Sequence, residues 1–196
     1  MLKFIVRNAE AADLNYVDHI VSALYKASQK KGTGIAVRTP EYITEKILDG
    51  KAIVAHTESG NWAGFCYIES WGHNKYVANS GLVVEPMFQG EGLAKAIKEK
   101  AMLLSFTLFP GARLFGLTTS LAVMKINSDL GYLPVTLSEL TDDDAFWKGC
   151  ETCPYYDILI RTKRSHCLCT GMIKKQEKTL EQLEEQQIKS KKIQIK

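Results

Sequence analysis

Apolar and polar positions change rhythm several times along this chain, and each change marks an element. Residues 3–7 alternate with the period of a short strand. Over residues 11–30, Leu14, Val17, Val21, Leu24 and Tyr25 recur at helical spacing while Asp13, Asp18 and Lys26 fall on another side, predicting an amphipathic helix capped by Asn8 or Asp13. A polar loop, KKGTGIAVRTP, leads to Pro40, which suits the first position of a short helix over residues 41–48 stopped by Asp49-Gly50. Three strand-like runs follow, at 52–57, 63–71 and 76–84, separated by the turn clusters Ser59-Gly60-Asn61 and Gly72-His73-Asn74. An antiparallel meander is their simplest arrangement.

The stretch FQGEGLAK then opens a long helical pattern that ends at Pro110-Gly111. A strand at 113–118, a helix at 120–130 closed by Gly131 and a strand at 132–137 come next. Residues 138–153 are acidic and read as irregular, whereas 155–162, rich in aromatic and β-branched residues, read as a final strand. The remainder is Gln/Glu/Lys-rich, and its sparse Leu180, Leu183 and Ile188 suffice for a frayed surface helix but not for a core. The folded domain is therefore expected over 1–162, with 163–196 a cysteine-containing segment and charged tail.

Composition narrows the function classes. The 196 residues, 45% hydrophobic and 24% charged, suit one globular domain. The net charge of +3 resides in residues 174–196, with seven Lys against four Glu; the rest of the chain is formally neutral. Without a basic face bearing interleaved aromatics, nucleic acid is not an expected partner. No apolar run reaches the length of a membrane span, and MLKFIVRNAE turns polar too soon for a signal-peptide core, so no membrane partner and a cytoplasmic location are expected. Five cysteines, an odd number in such a chain, read as thiols or metal ligands rather than a disulfide framework.

A strand running into glycines and then a helix is a recurring way of holding phosphate. The first N–H groups of a helix lack intrahelical partners, their dipoles add to a partial positive charge, and glycine lets a ligand approach the backbone. Gly-x-Gly also occurs in plain tight turns, so the motif alone leaves both readings open. No Gly-Lys-Ser/Thr follows, which excludes a Walker loop, and the turn comes after the fourth strand instead of the first, unlike a dinucleotide fold.

Gln89-Gly90-Glu91-Gly92-Leu93-Ala94, with its lead-in Val84-Glu85-Pro86, resembles the acyl-CoA signature of the GNAT superfamily of N-acetyltransferases. The order of elements over residues 1–162 is also similar to that superfamily. The resemblance implies an α/β (α+β) fold with a mixed, mostly antiparallel sheet of about seven strands flanked by four helices. It implies acetyl-CoA or another acyl-CoA as co-substrate. The backbone of Gln89, Gly90, Glu91, Gly92, Leu93 and Ala94 would bind the CoA diphosphate, and the peptide groups of Leu82, Val83 and Val84 on a bulged strand would pair with the pantetheine arm.

Enzymes of this kind often carry a tyrosine acid for the departing thiolate, in a pattern ending Leu-Tyr-x-x-x-Gly-Phe. Aligned on Leu130-Gly131-Tyr132, that position is Asn127. Asparagine is no acid near neutrality but its amide donates hydrogen bonds, so Asn127 is expected as a cofactor contact within the catalytic centre, and the acid stays open. For a base, Phe65, Tyr67, Glu69 and Trp71 share one strand face, and Glu69 is the candidate, against the plain reading of an edge carboxylate. His73 sits in a turn, where exposed histidines are commonly idle.

The loop before Pro40 would wall the acceptor site, with Arg38 offering a planar fork to a carboxylate and Tyr67 and Glu69 beside it. KGTGIAVRTPEYI, FGLTTSLAVMKINSDLGYLPV and FWKGCETC look like small stand-alone GNATs associated with arginine biosynthesis, which acylate glutamate from acetyl- or succinyl-CoA. That points to a small amine acceptor, with Arg38, Lys75 and Arg113 as cations for an acidic one. An acyl-CoA-binding module without catalysis and a protein N-acetyltransferase are the alternatives.

Cys150, Cys153, Cys167 and Cys169, with His166 adjacent, form a four-thiol set for zinc or plain thiols. If 155–162 is a strand it spans about 25 Å, and the four residues after it reach back only about 14 Å, so one chain cannot join both pairs. A shorter strand, or a homodimer in which the partner supplies one pair, removes that difficulty. The expectation for the chain alone is no metal.

Overall fold

The computed structural model describes residues 3–31, 38–153 and 155–174. The expectation of a surface helix in the tail lies outside them. Seven strands form one sheet: β1 (Phe4–Asn8), β2 (Ala52–Thr57), β3 (Trp62–Trp71), β4 (Tyr76–Val84), β5 (Arg113–Thr118), β6 (Leu133–Val135) and β7 (Thr170–Lys174). Their spatial order is β1-β2-β3-β4-β5-β7-β6. Only β4 and β5 pair in parallel; the other neighbours are antiparallel. The expected meander is β2-β3-β4.

Helices α1 (Val17–Lys31) and α2 (Pro40–Leu48) cover one face, burying Ile20, Leu24, Ile43 and Ile47 against Phe65 and Tyr67. Helix α3 (Leu93–Leu108) lies on the other, with Ile97, Ala101 and Leu104 packed on Ile53, Cys66, Ile68 and Leu114. With helices on both faces, β2 is buried along its whole length, the apolar run Ala52–Ala55 followed by the buried polar His56 and Thr57. Helix α4 (Leu121–Asp129) follows β5, and its end leads through the buried Tyr132 to β6. A third apolar cluster, Ala78, Phe115, Leu137, Leu140, Trp147, Leu159 and Ile173, sits at the β6–β7 end.

Three sequence expectations change. The helix of 11–30 opens as a 3-10 turn, Ala11–Tyr16, before α1. Asp13, 2% exposed, is held there by both Arg7 nitrogens at 2.7 and 3.0 Å and by the Glu10 N–H, which fixes the first turn. Residues 138–153 contain α5 (Asp144–Lys148), whose N-cap Asp143 accepts the Ala145 N–H at 2.9 Å and the Gly72 N–H at 2.8 Å.

The largest correction concerns 155–162, expected as a strand. It is helix α6 (Tyr156–Arg161), with Leu159 buried, Ile160 exposed and Asp157 paired to Arg161 one turn on. The β-branched composition misled because strand propensity expresses packing on a sheet, and no sheet neighbour is available to this segment. The closing strand is instead β7, inserted between β5 and β6, so the sheet extends beyond residue 162. Among the described residues, no helix is long and apolar enough to cross a membrane.

Candidate active site

Strands β4 and β5 pair only from Tyr76↔Arg113 to Ala78↔Phe115, and then separate. The same part of β4 bulges against β3: the register passes from Phe65↔Val83 to Tyr67↔Ser80, one extra residue on β4. Gly81 makes the bulge at φ +62°, and a β-carbon there would stand 2.5 Å from the Tyr67 ring. Glycine is therefore required twice over. The separation opens a cavity of about 540 Å³, bordered by Asn79 to Leu82 on one side and by Gly116 to Ser120 on the other.

Of the expected pantetheine strand, Leu82 borders this cavity, whereas the side chains of Val83 and Val84 are packed into the cores on opposite faces of the sheet. The glycine turn leads from β4 into α3. Gln89 donates its side-chain amide to the Val84 carbonyl at 3.1 Å, and its own N–H bonds Pro86. Gly90 and Gly92 have φ of +89° and +77° with nothing within 4 Å of either β-carbon position. The N–H groups of Gly90, Glu91, Gly92, Leu93 and Ala94 make no hydrogen bond to the described residues. No acidic side chain lies in the first turn of α3. N–H groups left open in this way at the start of a helix can hold an anion, and the residues fit the diphosphate of an acyl-CoA.

Deeper in the cavity stand Asn127 of α4 and Lys98 of α3, 1% and 2% exposed. Asn127 Nδ2 lies 3.6 Å from the Met172 sulfur, and its Oδ1 has no partner. Lys98 was not marked by the sequence: it falls among the apolar positions of α3 and reads as a surface lysine. Its Nζ makes no hydrogen bond or ion pair with the described residues and lies 5.3 Å from the Tyr132 ring centre. Burial pulls this ammonium down to about 8.

The acceptor residues expected from the sequence are brought together. Arg38 Nε donates to Tyr67 Oη at 2.5 Å, and its guanidinium lies 5.2 Å from the Tyr42 ring centre. Arg38, Tyr42 and Glu69 border the cavity; Tyr67, 1% exposed, lies beneath them. Glu69 is not a free carboxylate. Tyr42 donates its hydroxyl to Oε2, and Lys46 Nζ stands 3.1 Å from Oε1. Burial alone would lower the Lys46 ammonium, but Glu69 outweighs it and the net shift is upward. Tyr42 is likewise pushed up, by burial first and then by Tyr67 and Glu69. Neither Tyr42 nor Lys46 was marked by the sequence, though they stand four residues apart on α2 and so share one helix face. Lys75 and Arg113 do not border the cavity, and His73 is an exposed turn residue.

Cys150, Cys153, Cys167 and Cys169 all border the same cavity. A six-residue helix spans only about 9 Å, so the reach that separated the two pairs disappears with the strand. Burial pushes the Cys150 thiol up to about 11 and Cys169 up to about 12, with the neighbouring thiols adding to both. Among the described residues, no three His, Cys, Asp or Glu side chains converge as metal ligands do. Cys66 is buried in the sheet, donates to the Ser80 carbonyl at 3.3 Å and is not part of the cavity wall.

No protein-family model and no curated protein matches the sequence. Solved structures do. N-acetylglutamate synthase from Neisseria gonorrhoeae, complexed with coenzyme A and N-acetyl-glutamate, superimposes with a TM-score of 0.63 at 14% identity over 90% of this chain and 36% of that one. The chain thus spans about a third of that enzyme's length. The protein yncA from Salmonella typhimurium, solved with its cofactor acetyl-CoA, gives 0.63 at 14% identity, covering 90% of this chain and 96% of the other. A mosquito arylalkylamine N-acetyltransferase-like protein gives 0.59 at 16% identity, covering 89% and 100%. The α/β fold, with its seven-stranded mixed sheet, is that of the GNAT acetyltransferases.

Proposed function

We propose that this chain is an acyl-CoA-dependent N-acyltransferase that transfers an acetyl or succinyl group to a small amine, with glutamate as the acceptor to test first. The observation that carries the reading is the row of N–H groups from Gly90 to Ala94 that make no hydrogen bond to the described residues, at the start of α3, the helix whose Lys98 lines the cavity between the separated β4 and β5. A diphosphate at the row directs a pantetheine arm along the free edge of β4, past Asn79 to Leu82, toward Asn127. The orphaned Oδ1 of Asn127 is suited to accept an amide N–H from that arm.

The acceptor enters at the other end, where the Arg38 guanidinium, held against Tyr67 and Tyr42, offers a planar fork to an acidic substrate. The wall of α5 and α6 narrows this end and favours a small molecule over a protein tail. Transfer is direct. The neutral amine attacks the thioester carbonyl, the carbon–sulfur bond breaks, and the amine proton leaves to solvent, since both Glu69 oxygens are already engaged. Burial pushes the Cys66 thiol up to about 11, away from a nucleophile's range.

The experiment is thiol release from acetyl-CoA and succinyl-CoA with a panel of amino acids, polyamines and peptides, paired with CoA binding by calorimetry. Turnover with glutamate is the expected result. CoA binding without turnover on any amine would leave a binding module, and absence of both ends the acyl-CoA reading.

A further inference from the structure

We infer that Lys98 is the proton donor to the CoA sulfur, occupying functionally the place where Asn127 stands instead of a tyrosine. The inference rests on the acyltransferase reading above. Four features of this corner lead to it.

The first is position. A β-carbon built on Gly116 would lie 3.9 Å from Lys98 Nζ and 3.8 Å from Asn127 Nδ2. The two side chains therefore approach the same point of β5, just past Ala78↔Phe115, where β4 and β5 separate. The second is the missing partner. Lys98 is 2% exposed, yet no carboxylate, carbonyl or hydroxyl of the described residues lies within hydrogen-bond distance of its nitrogen. A buried ammonium without a counter-ion costs stability, so packing alone gives no reason for it.

The third is how it is held. Tyr132 presents its ring to the ammonium at 5.3 Å; its hydroxyl donates to Asn79 Oδ1 at 3.0 Å, and Asn79 Nδ2 in turn donates to Ser105 Oγ at 2.9 Å. The fourth concerns the titratable groups that face the ammonium, Cys66 from β3 and Tyr132 ahead of β6. Burial pushes both upward, so they stay neutral where Lys98, drawn down to about 8, changes charge.

The chemistry follows. A thiolate leaving a thioester needs a proton, and an ammonium drawn down in this way is a stronger acid than ordinary lysine while still protonated near pH 7. As the carbon–sulfur bond breaks, its electron pair goes to sulfur and Lys98 Nζ gives up a proton to it. The amine's own proton goes to solvent, and Lys98 is reprotonated from solvent, so charge and protons balance over the cycle.

The test uses the full chain and two readouts. Lys98→Met and Lys98→Arg are compared with the parent for turnover against pH and for the ultraviolet absorbance of bound CoA as its thiol ionises. In the parent, kcat is expected to fall above about pH 8; in Lys98→Met it is lower by roughly a hundredfold, without that falling limb, while CoA affinity stays within about threefold. Lys98→Arg keeps a cation that cannot release its proton near neutrality, so it should stay slow. Bound CoA should ionise about tenfold more at a given pH in the parent than in Lys98→Met, whatever the turnover. Equal thiol ionisation in the two proteins, or Lys98→Met within threefold of parental kcat, overturns the inference. So does an acyl adduct on Lys98, which would make it a nucleophile. A parent without turnover or CoA binding defeats the underlying reading instead.

Discussion

Glu69 and Lys46 act as one unit. The ammonium, on a residue 4% exposed, stands 3.1 Å from Oε1 of the carboxylate, and Tyr42 closes the other oxygen. A residue that strand alternation offers as a base is thereby committed to holding α2 on β3. Removing Glu69 leaves the buried Lys46 ammonium with only the exposed Glu45 carboxylate, 3.2 Å away, at a cost of about 2 kcal/mol. Glu69→Gln is expected to lose that much in urea unfolding, and Lys46→Met added to it should regain most of the loss. A single variant as stable as its parent would contradict the assignment.

Lys98 has the opposite energetics. Its folded pKa of about 8 lies below the ordinary 10.5, so between these values the folded chain holds fewer protons than the unfolded one. Stability therefore rises with pH across that window, and the penalty is greatest below it. Lys98→Met is expected to be more stable than the parent at pH 7, by about 3 kcal/mol, with the advantage shrinking toward pH 10. Melts at several pH values check this; a pH-independent difference would count against it.

At the cradle, the left-handed φ of +89° at Gly90 and +77° at Gly92 sets the direction of the free N–H groups, while the space around both is open. Gly90→Val or Gly92→Val should cost about 1–2 kcal/mol of backbone strain and leave the fold intact. CoA affinity should fall at least about tenfold, read by calorimetry. Unchanged affinity would remove the cradle from the binding site.

Gly81 differs because its surroundings are closed: an added methyl meets the Tyr67 ring at 2.5 Å. Gly81→Ala is expected to cost more than the cradle variants, about 3 kcal/mol, and to displace Tyr67 and with it Arg38. Loss of acceptor affinity exceeding loss of CoA affinity would be its kinetic mark.

The sheet's first five strands and first four helices were legible because their periodicities are long and their turn residues explicit. The left-handed turn at Gly90 and Gly92 ahead of α3 was legible for the same reason, and Arg38 and Tyr67, expected at one site, are hydrogen-bonded neighbours. Lys98 was hidden, since a lysine among apolar helix positions reads as solvent-facing until β5 and α4 close over it. The pairing of Glu69 was hidden too, because Lys46 is 23 residues away and reaches it only once α2 is docked. The end of the chain was misread at Tyr155 to Thr162 because β composition there has no sheet to join, while β7 offers only Met172 and Ile173 as apolar signal.

The insertion of β7 between β5 and β6 also fixes an order of assembly. Strand β6 makes no ladder with β5; both pair to β7, the last described segment to leave the ribosome. While the chain is being made, the earlier strands can join, but the β5 edge stays open and β6 has nothing to attach to until residue 174 has emerged. The wall of the cavity formed by α5, α6 and the four thiols lies beside that strand, so this end of the cavity is completed after the glycine turn and α3 are already in place.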